Sequence, residues 1–204
     1  MKTIISCYLI LATCCYSFAQ KEKSSFIRKG LLRAQATISP GVLSEENAST
    51  ISLHGNLEYY VANNVSFRGD SYYFLHSRFE NGINPLHFNH SVFSGASYHF
   101  KTKSHFDPYL AIEPGISFTE LIMNPCPDGA ECLVGPIYGD RAINPLISSA
   151  FGFNFYFERW FHLFGETRYI YGKHLSNAPY PLSLSELRFS FGLGFNLNLI
   201  RKKE

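Results

Sequence analysis

Beyond its first twenty residues, the chain is poor in cysteine and lacks lysine over two long stretches. No lysine occurs between Gly30 and Phe100 or between Ser104 and Gly172. A soluble β-sheet protein needs a hydrated outer surface and usually carries lysine there, so these gaps argue against a water-exposed sheet. The net charge is also near zero, with 18 Lys and Arg against 16 Asp and Glu, which argues against a nucleic-acid partner.

Two of the cysteines, Cys126 and Cys132, lie outside the N-terminal segment and flank a Pro-Asp-Gly turn. In an exported chain this spacing favours a disulfide, worth roughly 2–3 kcal/mol by chain entropy. A zinc site would need further ligands, and this loop offers none beyond Asp128 and Glu131. We therefore expect a disulfide that orders a loop, and we predict no metal or other cofactor.

The N-terminus has the layout of a secretory signal. A positively charged start is followed by the apolar stretch Ile4–Ala12, which is too short to span a membrane as a helix. Ser17–Ala19 has the small-x-small form of a cleavage site, so residues 1–19 are predicted to be a signal peptide and residues 20–30 a periplasmic lead-in. Cys14 leaves a lipoprotein signal open as an alternative.

Alternation of apolar and polar residues is clearest in the last predicted strand, Leu187–Leu199, which reads LRFSFGLGFNLNL. Every second residue is a large apolar one, and the residues between them are polar or glycine. A period of two indicates a β-strand with one apolar face and one polar face. Such a long regular strand is typical of a membrane barrel, with lipid on one side and a small polar lumen on the other. We expect its leucines and phenylalanines to face lipid.

Similar patterns predict eight strands in residues 31–204. Their approximate bounds are Leu31–Ser39, Ile51–Val61, Val65–His76, His90–Phe100, Pro108–Leu121, Asn144–Phe157, Phe161–Tyr171 and Leu187–Leu199. Pro40-Gly41 is expected to end the first strand. The even-numbered connections are short and the odd-numbered ones longer, three of them well past ten residues, as in outer-membrane barrels with both termini in the periplasm. The prediction is an eight-stranded antiparallel up-and-down transmembrane β-barrel whose last strand closes on the first.

Charged residues in these strands share the polar faces. We predict a lumen charge network of Arg33, Glu58, Arg68, Asp70, Glu113, Glu166, Arg168 and Arg188. The two signs balance, as a closed lumen requires. Glu58 and Arg68 should lie opposite each other across the Ala62–Asn64 turn and are able to pair. The interior of an eight-stranded barrel is filled by side chains, so no wide pore is expected.

Aromatic residues cluster near the strand ends and predict two interfacial belts. Tyr59, Tyr60, Phe67, Phe100, Phe106, Tyr109, Phe157, Trp160 and Phe161 flank the predicted periplasmic turns, and Tyr72, Tyr73, Phe118, Tyr169 and Tyr171 lie near the opposite ends. The alternative is a soluble periplasmic barrel of the lipocalin kind, with its apolar faces turned inward around an apolar ligand.

On this pattern the whole chain after the signal resembles the small outer-membrane barrels of Gram-negative bacteria, in particular the "outer membrane protein beta-barrel domain" type of the Bacteroidetes. The resemblance implies a location in the outer membrane, surrounded by lipid and lipopolysaccharide. It also implies insertion by the outer-membrane assembly machinery, which reads the final strand. We expect a monomer with a structural or surface-interaction role.

The segment from His174 to Ala178, followed by Glu186, offers the residues of a hydrolase. Serine, histidine and a carboxylate can act as nucleophile, base and orienting acid. This stretch resembles the His-x-Ser-Asn motif of the lipid A 3-O-deacylase family, which implies His174 as base, Ser176 as nucleophile and Glu186 as orienting acid, with Asn177 at the oxyanion. Because His174 shares its parity with the lumen charges, a site facing lipid would require a β-bulge near Gly172.

Three histidines at positions 76, 87 and 90 lie in or at the edges of the predicted loop between the third and fourth strands. A spacing of three residues in a loop fixes no ligand geometry, so we predict no metal site there. The main expectation is therefore a barrel that is not an enzyme, and the deacylase and the soluble binding protein remain as alternatives.

Overall fold

The computed structural model describes residues 29–80, 82, 84–102, 105–123, 135, 137–175 and 182–199. These residues form eight antiparallel strands, each paired with its neighbours along the chain, and β8 also pairs with β1 to close a barrel. The predicted fold class is confirmed. The described part of the chain contains no helix long and apolar enough to cross a membrane.

The strands alternate regularly between buried and exposed positions. Their bounds are β1 Leu31–Leu43, β2 Ala48–Tyr60, β3 Val65–Phe79, β4 Leu86–His99, β5 Phe106–Leu121, β6 Ala142–Tyr156, β7 Phe161–Gly172 and β8 Glu186–Asn198. The predicted signal peptide and most of the lead-in lie outside the described residues, as do Cys126 and Cys132, so both predictions stay predictions.

The apolar face of each strand points out of the barrel. In β8, Phe189, Phe191 and Leu193 are exposed, while Arg188 and Ser190 are buried. Large apolar side chains are exposed on the other strands too, and few soluble proteins carry a continuous apolar surface of this kind. A soluble lipocalin-like barrel needs the opposite arrangement, with its apolar faces inside.

The first strand is longer than predicted, because Pro40 does not end it. β1 continues through Pro40-Gly41 to Leu43 and stays paired with β2. Its backbone pairing with β8 is interrupted from Ala36 to Pro40, which accommodates a residue without an N–H. Side chains replace the missing ladder bonds, since the Thr37 and Ser39 hydroxyls donate to carbonyl oxygens of β8 at 2.7 and 2.8 Å.

The prediction of a long loop at His76–Asn89 is also wrong, because β3 runs to Phe79 and β4 begins at Leu86. Two β-bulges make the continued strands unrecognisable from the sequence pattern. Leu75 is an extra residue in β3 opposite β2, and His87 is an extra residue in β4 opposite β5. Each bulge shifts the alternation by one residue, so the period of two breaks although the strand continues.

The connections at the two ends differ in length. At the end that carries the chain termini they span residues 61–64, 100–105 and 157–160, and at the opposite end they span residues 44–47, 80–85, 122–141 and 173–185. Two of the latter, rather than the predicted three, run well past ten residues. The two ends are called the terminal end and the far end below.

Most predicted belt aromatics lie on the outer surface near the ends, but three of them do not. Tyr60, Tyr72 and Tyr109 are buried inside the barrel. Each shares its strand parity with interior charged residues, and each lies within cation–π distance of an interior arginine. These tyrosines are therefore part of the interior rather than of an interfacial belt.

Candidate functional site

The barrel interior collects the charged side chains of the strands. All eight charged residues predicted for the lumen are at most 5 % exposed, namely Arg33, Glu58, Arg68, Asp70, Glu113, Glu166, Arg168 and Arg188. The structure arranges them in three groups along the barrel axis, described below from the terminal end to the far end.

The group nearest the terminal end centres on Arg33. Its guanidinium donates to the carboxylates of Glu58 and Asp107, with 3.1 Å to Asp107 Oδ2, and to the Tyr156 hydroxyl at 2.7 Å. His99 bridges the same two carboxylates, with Nε2 2.9 Å from Glu58 Oε1 and Nδ1 2.9 Å from Asp107 Oδ1. The group is thus held together by hydrogen bonds among side chains of five different strands.

The predicted pairing of Glu58 with Arg68 holds for the register but not for the ion pair. Glu58 lies opposite Arg68 in β3 and also opposite Arg33 in β1. Its carboxylate pairs with Arg33, because Arg68 is held by Asp70 and Glu166 further along the axis. A register places two residues side by side, but competition among several partners decides which pair forms.

The central group contains two arginines and three carboxylates. Arg68 contacts Asp70 Oδ1 and Glu166 Oε2, both at 2.8 Å. Arg168 contacts Glu113 Oε1 at 2.9 Å, Glu166 Oε1 at 3.0 Å and Asp70 Oδ2 at 3.1 Å. Because each arginine bridges several carboxylates from different strands, the group ties opposite walls of the barrel together.

A possible metal-binding triad lies inside this central group. Ligand atoms of His54, Asp70 and Glu166 come within 4.8 Å of one another. However, both acids also accept hydrogen bonds from Arg68 and Arg168, which neutralise them. Arginines so close would repel a divalent cation, so the arrangement fits ion pairs better than a metal centre.

The group nearest the far end is an ion pair of Glu186 with Arg188, at 2.7 Å. The Glu186 carboxylate also accepts the Thr50 hydroxyl, and Arg188 donates to the Ser91 hydroxyl at 2.9 Å. The Arg188 guanidinium lies over the Tyr72 ring, 4.4 Å from its centroid. Beyond this pair the interior holds mostly apolar side chains, together with a polar contact of Thr119 with His174 and Asn144.

An apolar cap fills the interior at the far end. It is a cluster of buried side chains from strand ends and from the last connection, consisting of Leu43, Ala48, Tyr72, Phe74, Phe79, Leu86, Phe93, Leu121, Leu146, Ile170, Leu182 and Leu184. Leu182 and Leu184 come from the chain between β7 and β8, and residues 182–184 are buried in the barrel mouth. The sequence did not predict it, because these residues follow a proline-containing loop.

The hydrolase residues are only partly described, because Ser176 and Asn177 lie outside the described residues. His174 is buried and continues the inner face of β7, and the pairing of Gly172 with Leu146 shows no register shift. Its Nδ1 lies 2.7 Å from the Thr119 hydroxyl, and burial lowers the pKa of its imidazole. The bulge that a lipid-facing site requires is therefore absent at this described position.

The orienting acid of that set, Glu186, has other partners. Its carboxylate contacts the side chains of Thr50 and Arg188, on β2 and β8. His174 instead contacts β5 through Thr119. The described contacts of the two residues thus connect them to different strands and do not orient the imidazole through Glu186.

Several interior residues escaped the sequence analysis. Asp107 accepts from Arg33 and His99, but it precedes Pro108, where the fifth strand was predicted to begin. Tyr109 donates to Glu166 at 2.7 Å and was assigned to a belt. Both residues are an even number of positions from Glu113 in β5, which places them on the same inner face. This spacing was the signal available in the sequence.

Comparison with known proteins gives matches only at the level of structure. No protein-family model matches the chain, and no curated protein sequence matches it. The outer membrane protein OprG from Pseudomonas aeruginosa superposes with a TM-score of 0.63 at 8% identity, covering 86% of this chain and 100% of OprG. Neisserial surface protein A superposes with a TM-score of 0.53 at 15% identity, covering 82% of this chain and 96% of that protein.

A third match is Ail, the attachment invasion locus protein of Yersinia pestis, in a crystal structure with the heparin analogue sucrose octasulfate. It has a TM-score of 0.50 at 10% identity and covers 83% of this chain and 99% of Ail. At such identities the likeness concerns the fold alone. The chain therefore has the fold of the small eight-stranded outer-membrane β-barrel proteins.

Proposed function

We propose that the protein is an integral outer-membrane β-barrel with a closed polar interior and a structural or surface-interaction role. The observation that supports this best is the division of the strand residues into two faces. Apolar side chains surround the barrel on the outside, while the eight network charges are buried inside and engaged in ion pairs. An arginine facing lipid at the membrane midplane would cost about 2–4 kcal/mol, and none of the eight network residues does so.

The two ends of the barrel support an orientation. Outer-membrane barrels have short periplasmic turns and longer loops at the cell surface. The terminal end carries the three connections at residues 61–64, 100–105 and 157–160, and would face the periplasm. Lipid and lipopolysaccharide would surround the barrel, the assembly machinery would insert it, and a monomer suffices because the barrel has no free edge.

A closed interior is supported by what fills it. The three charged groups occupy the lumen from the terminal end towards the far end, and the apolar cap covers them there. Eight strands enclose a space that side chains just fill. We therefore expect no wide diffusion pore.

A role at the surface is supported by the far-end connections. Residues 122–141 and 173–185 are the longest connections and would lie at the cell surface. Ail, which shares this fold, was crystallised with a sulfated saccharide analogue, so this architecture is compatible with saccharide contacts. The hydrolase is not proposed, because His174 lies on the inner face and Glu186 binds Thr50 and Arg188.

The test combines gel mobility with conductance. The folded protein should be insoluble without detergent, and its band should shift on gels after boiling. In planar lipid bilayers it should insert without steps of large conductance. A protein that stays soluble and monomeric without detergent would contradict membrane insertion, and a stable large-conductance channel would contradict the closed interior.

A further inference from the structure

A strip of neighbouring rings, two pairs of them stacked and two tilted, crosses the outer surface near the far end. Tyr73 stacks on His90 with ring centroids 4.3 Å apart, and His90 stacks on Phe88 at 5.0 Å. His87 follows at 5.6 Å from Phe88, and Tyr138 lies 4.5 Å from His87. The strip thus runs from the lipid-facing part of β3 to the connection between β5 and β6.

The bulge in β4 places the rings of His87 and Phe88 in this strip. The pairing with β5 shifts register between Leu86 and Phe88, which leaves His87 as an extra residue. Leu86 and Asn89 are buried, so His87 and Phe88 both lie on the outer side. Without the bulge, one of these two adjacent rings would point into the barrel.

Tyr138 is held by backbone pairing. It forms an antiparallel bridge with Ile122, and the Gly139 N–H donates to the Leu121 carbonyl at 2.9 Å. These contacts extend β5 beyond its last residue and fix the tyrosine beside His87. The side chain itself is 50% exposed, so a flat ring is presented to the outside at little ordering cost.

Two charged residues complete the surface. Glu120 accepts from His87 Nδ1 at 2.7 Å and from Arg141 Nε at 3.2 Å. The Arg141 guanidinium lies over the Phe88 ring, 5.9 Å from its centroid, and its side chain is 79% exposed. Within the described part of the chain, Arg141 donates its hydrogen bond through Nε. Its two terminal amino groups therefore remain available to a ligand. We call His87, Phe88, Glu120, Tyr138 and Arg141 the rim site.

The rim site begins where the apolar surface ends. On β5 and β6, Phe118 and Ile143 are paired, exposed and apolar. Two residues further towards the far end, the outer positions hold Glu120 and Arg141. Under the proposed function, on which this step rests, the rim site lies at the level of the headgroups of the outer leaflet.

We propose that the rim site binds the phosphorylated sugar headgroup of lipopolysaccharide in the surrounding outer leaflet. The Tyr138 and His87 rings offer flat faces on which the C–H face of a sugar packs. The Arg141 guanidinium offers two parallel N–H donors that match a phosphate. Glu120 fixes the orientation of both His87 and Arg141, so the surface is formed before the ligand arrives.

The test measures binding to the full-length folded protein in detergent. The probes are a rough lipopolysaccharide of defined composition, its dephosphorylated form and its water-soluble deacylated oligosaccharide, with native mass spectrometry as readout. The variants are Arg141→Gln and Tyr138→Ala. The matched control is Arg159→Gln, because Arg159 also lies over a ring, that of Trp160 at 5.5 Å, but at the terminal end.

We expect Arg141→Gln to weaken lipopolysaccharide binding about tenfold, as for the loss of a charge-assisted hydrogen bond, and Arg159→Gln to leave it unchanged. Dephosphorylation should weaken binding to the wild type but not to Arg141→Gln. Equal binding by wild type, Arg141→Gln and Tyr138→Ala would overturn the proposal. Tight binding of the soluble oligosaccharide would also overturn it, in favour of a free saccharide.

Heat-modifiable mobility is recorded on every sample. A wild type that lacks it contradicts the proposed function itself. A wild type that shows it, but whose binding does not depend on Arg141 or Tyr138, contradicts only the rim site. Because both side chains are exposed, neither substitution should prevent folding.

Discussion

Replacing Arg168 by methionine should strongly destabilise the barrel. The Arg168 guanidinium contacts Glu113, Glu166 and Asp70 at 2.9 to 3.1 Å, and it also donates to the Ser148 hydroxyl at 3.0 Å. Methionine keeps most of the volume of the side chain but removes the charge. The substitution therefore tests the ion pairs rather than the packing.

The magnitude follows from charge balance in the central group. In the wild type two arginines face three carboxylates, and in the variant Arg68 faces them alone. Removal of one partner from a buried ion pair typically costs about 3–5 kcal/mol, because the other charge stays buried. The double variant Arg168→Met/Glu166→Gln restores the original charge difference between arginines and carboxylates. Its loss of unfolding free energy should therefore be smaller than the sum of the losses of the two single variants.

The free energy of unfolding is measured by urea titration in lipid vesicles, with the single tryptophan of the chain, Trp160, as fluorescent reporter. Arg78→Met is the control, because Arg78 is exposed near the far end and should change stability by less than about 0.5 kcal/mol. If Arg168→Met destabilises no more than Arg78→Met, the interior network does not stabilise the barrel as described.

Three further predictions concern single residues. Phe191→Arg, on the outer face of β8, should lower the free energy of unfolding by about 2–4 kcal/mol in lipid. Leu199→Arg, beyond the strand end, should lower it by only about 0–1 kcal/mol. Urea unfolding in vesicles measures both values. Gly95→Ala should cost about 1–3 kcal/mol, because a Cβ there collides with backbone atoms of β5, whereas Gly55→Ala meets only a hydroxyl at 3.4 Å and should be tolerated in the same assay. The His174 imidazole should titrate below the ordinary histidine range by NMR in detergent. Because its folded pKa is lowered, its stabilising contribution is present above about pH 6.5 and lost as the pH falls, and His174→Gln should reduce that dependence. Titration of His174 within the ordinary range would contradict its burial.

Alternation made much of the fold predictable from the sequence. A period of two assigns each side chain of β8 to a face, and the buried Arg188 lies on the face predicted for it. The same reasoning failed at the bulges, because an extra residue at Leu75 or His87 reverses the alternation within one strand. The strand ends beyond each bulge were therefore assigned to a loop in the sequence-based prediction.

Contacts between distant strands were less predictable than faces. The position of Glu58 between Arg33 and Arg68 follows from register, but its choice of Arg33 depends on how the central carboxylates hold Arg68. Likewise, the rim site depends on a bulge and on backbone pairing of Tyr138 with Ile122. Such features arise from three-dimensional competition, for which a linear pattern carries no signal.

The orientation of β8 towards lipid is tested most directly by a nitroxide scan of this strand in lipid vesicles. Single cysteines at positions 187–198, in a chain whose own cysteines are replaced, carry the label. Labels at Phe189, Phe191 and Leu193 should collide readily with oxygen, which partitions into lipid, and labels at the intervening positions should not. Ready collision of these three labels with a water-soluble nickel complex would mean that the apolar face lies in water, and would contradict a membrane barrel.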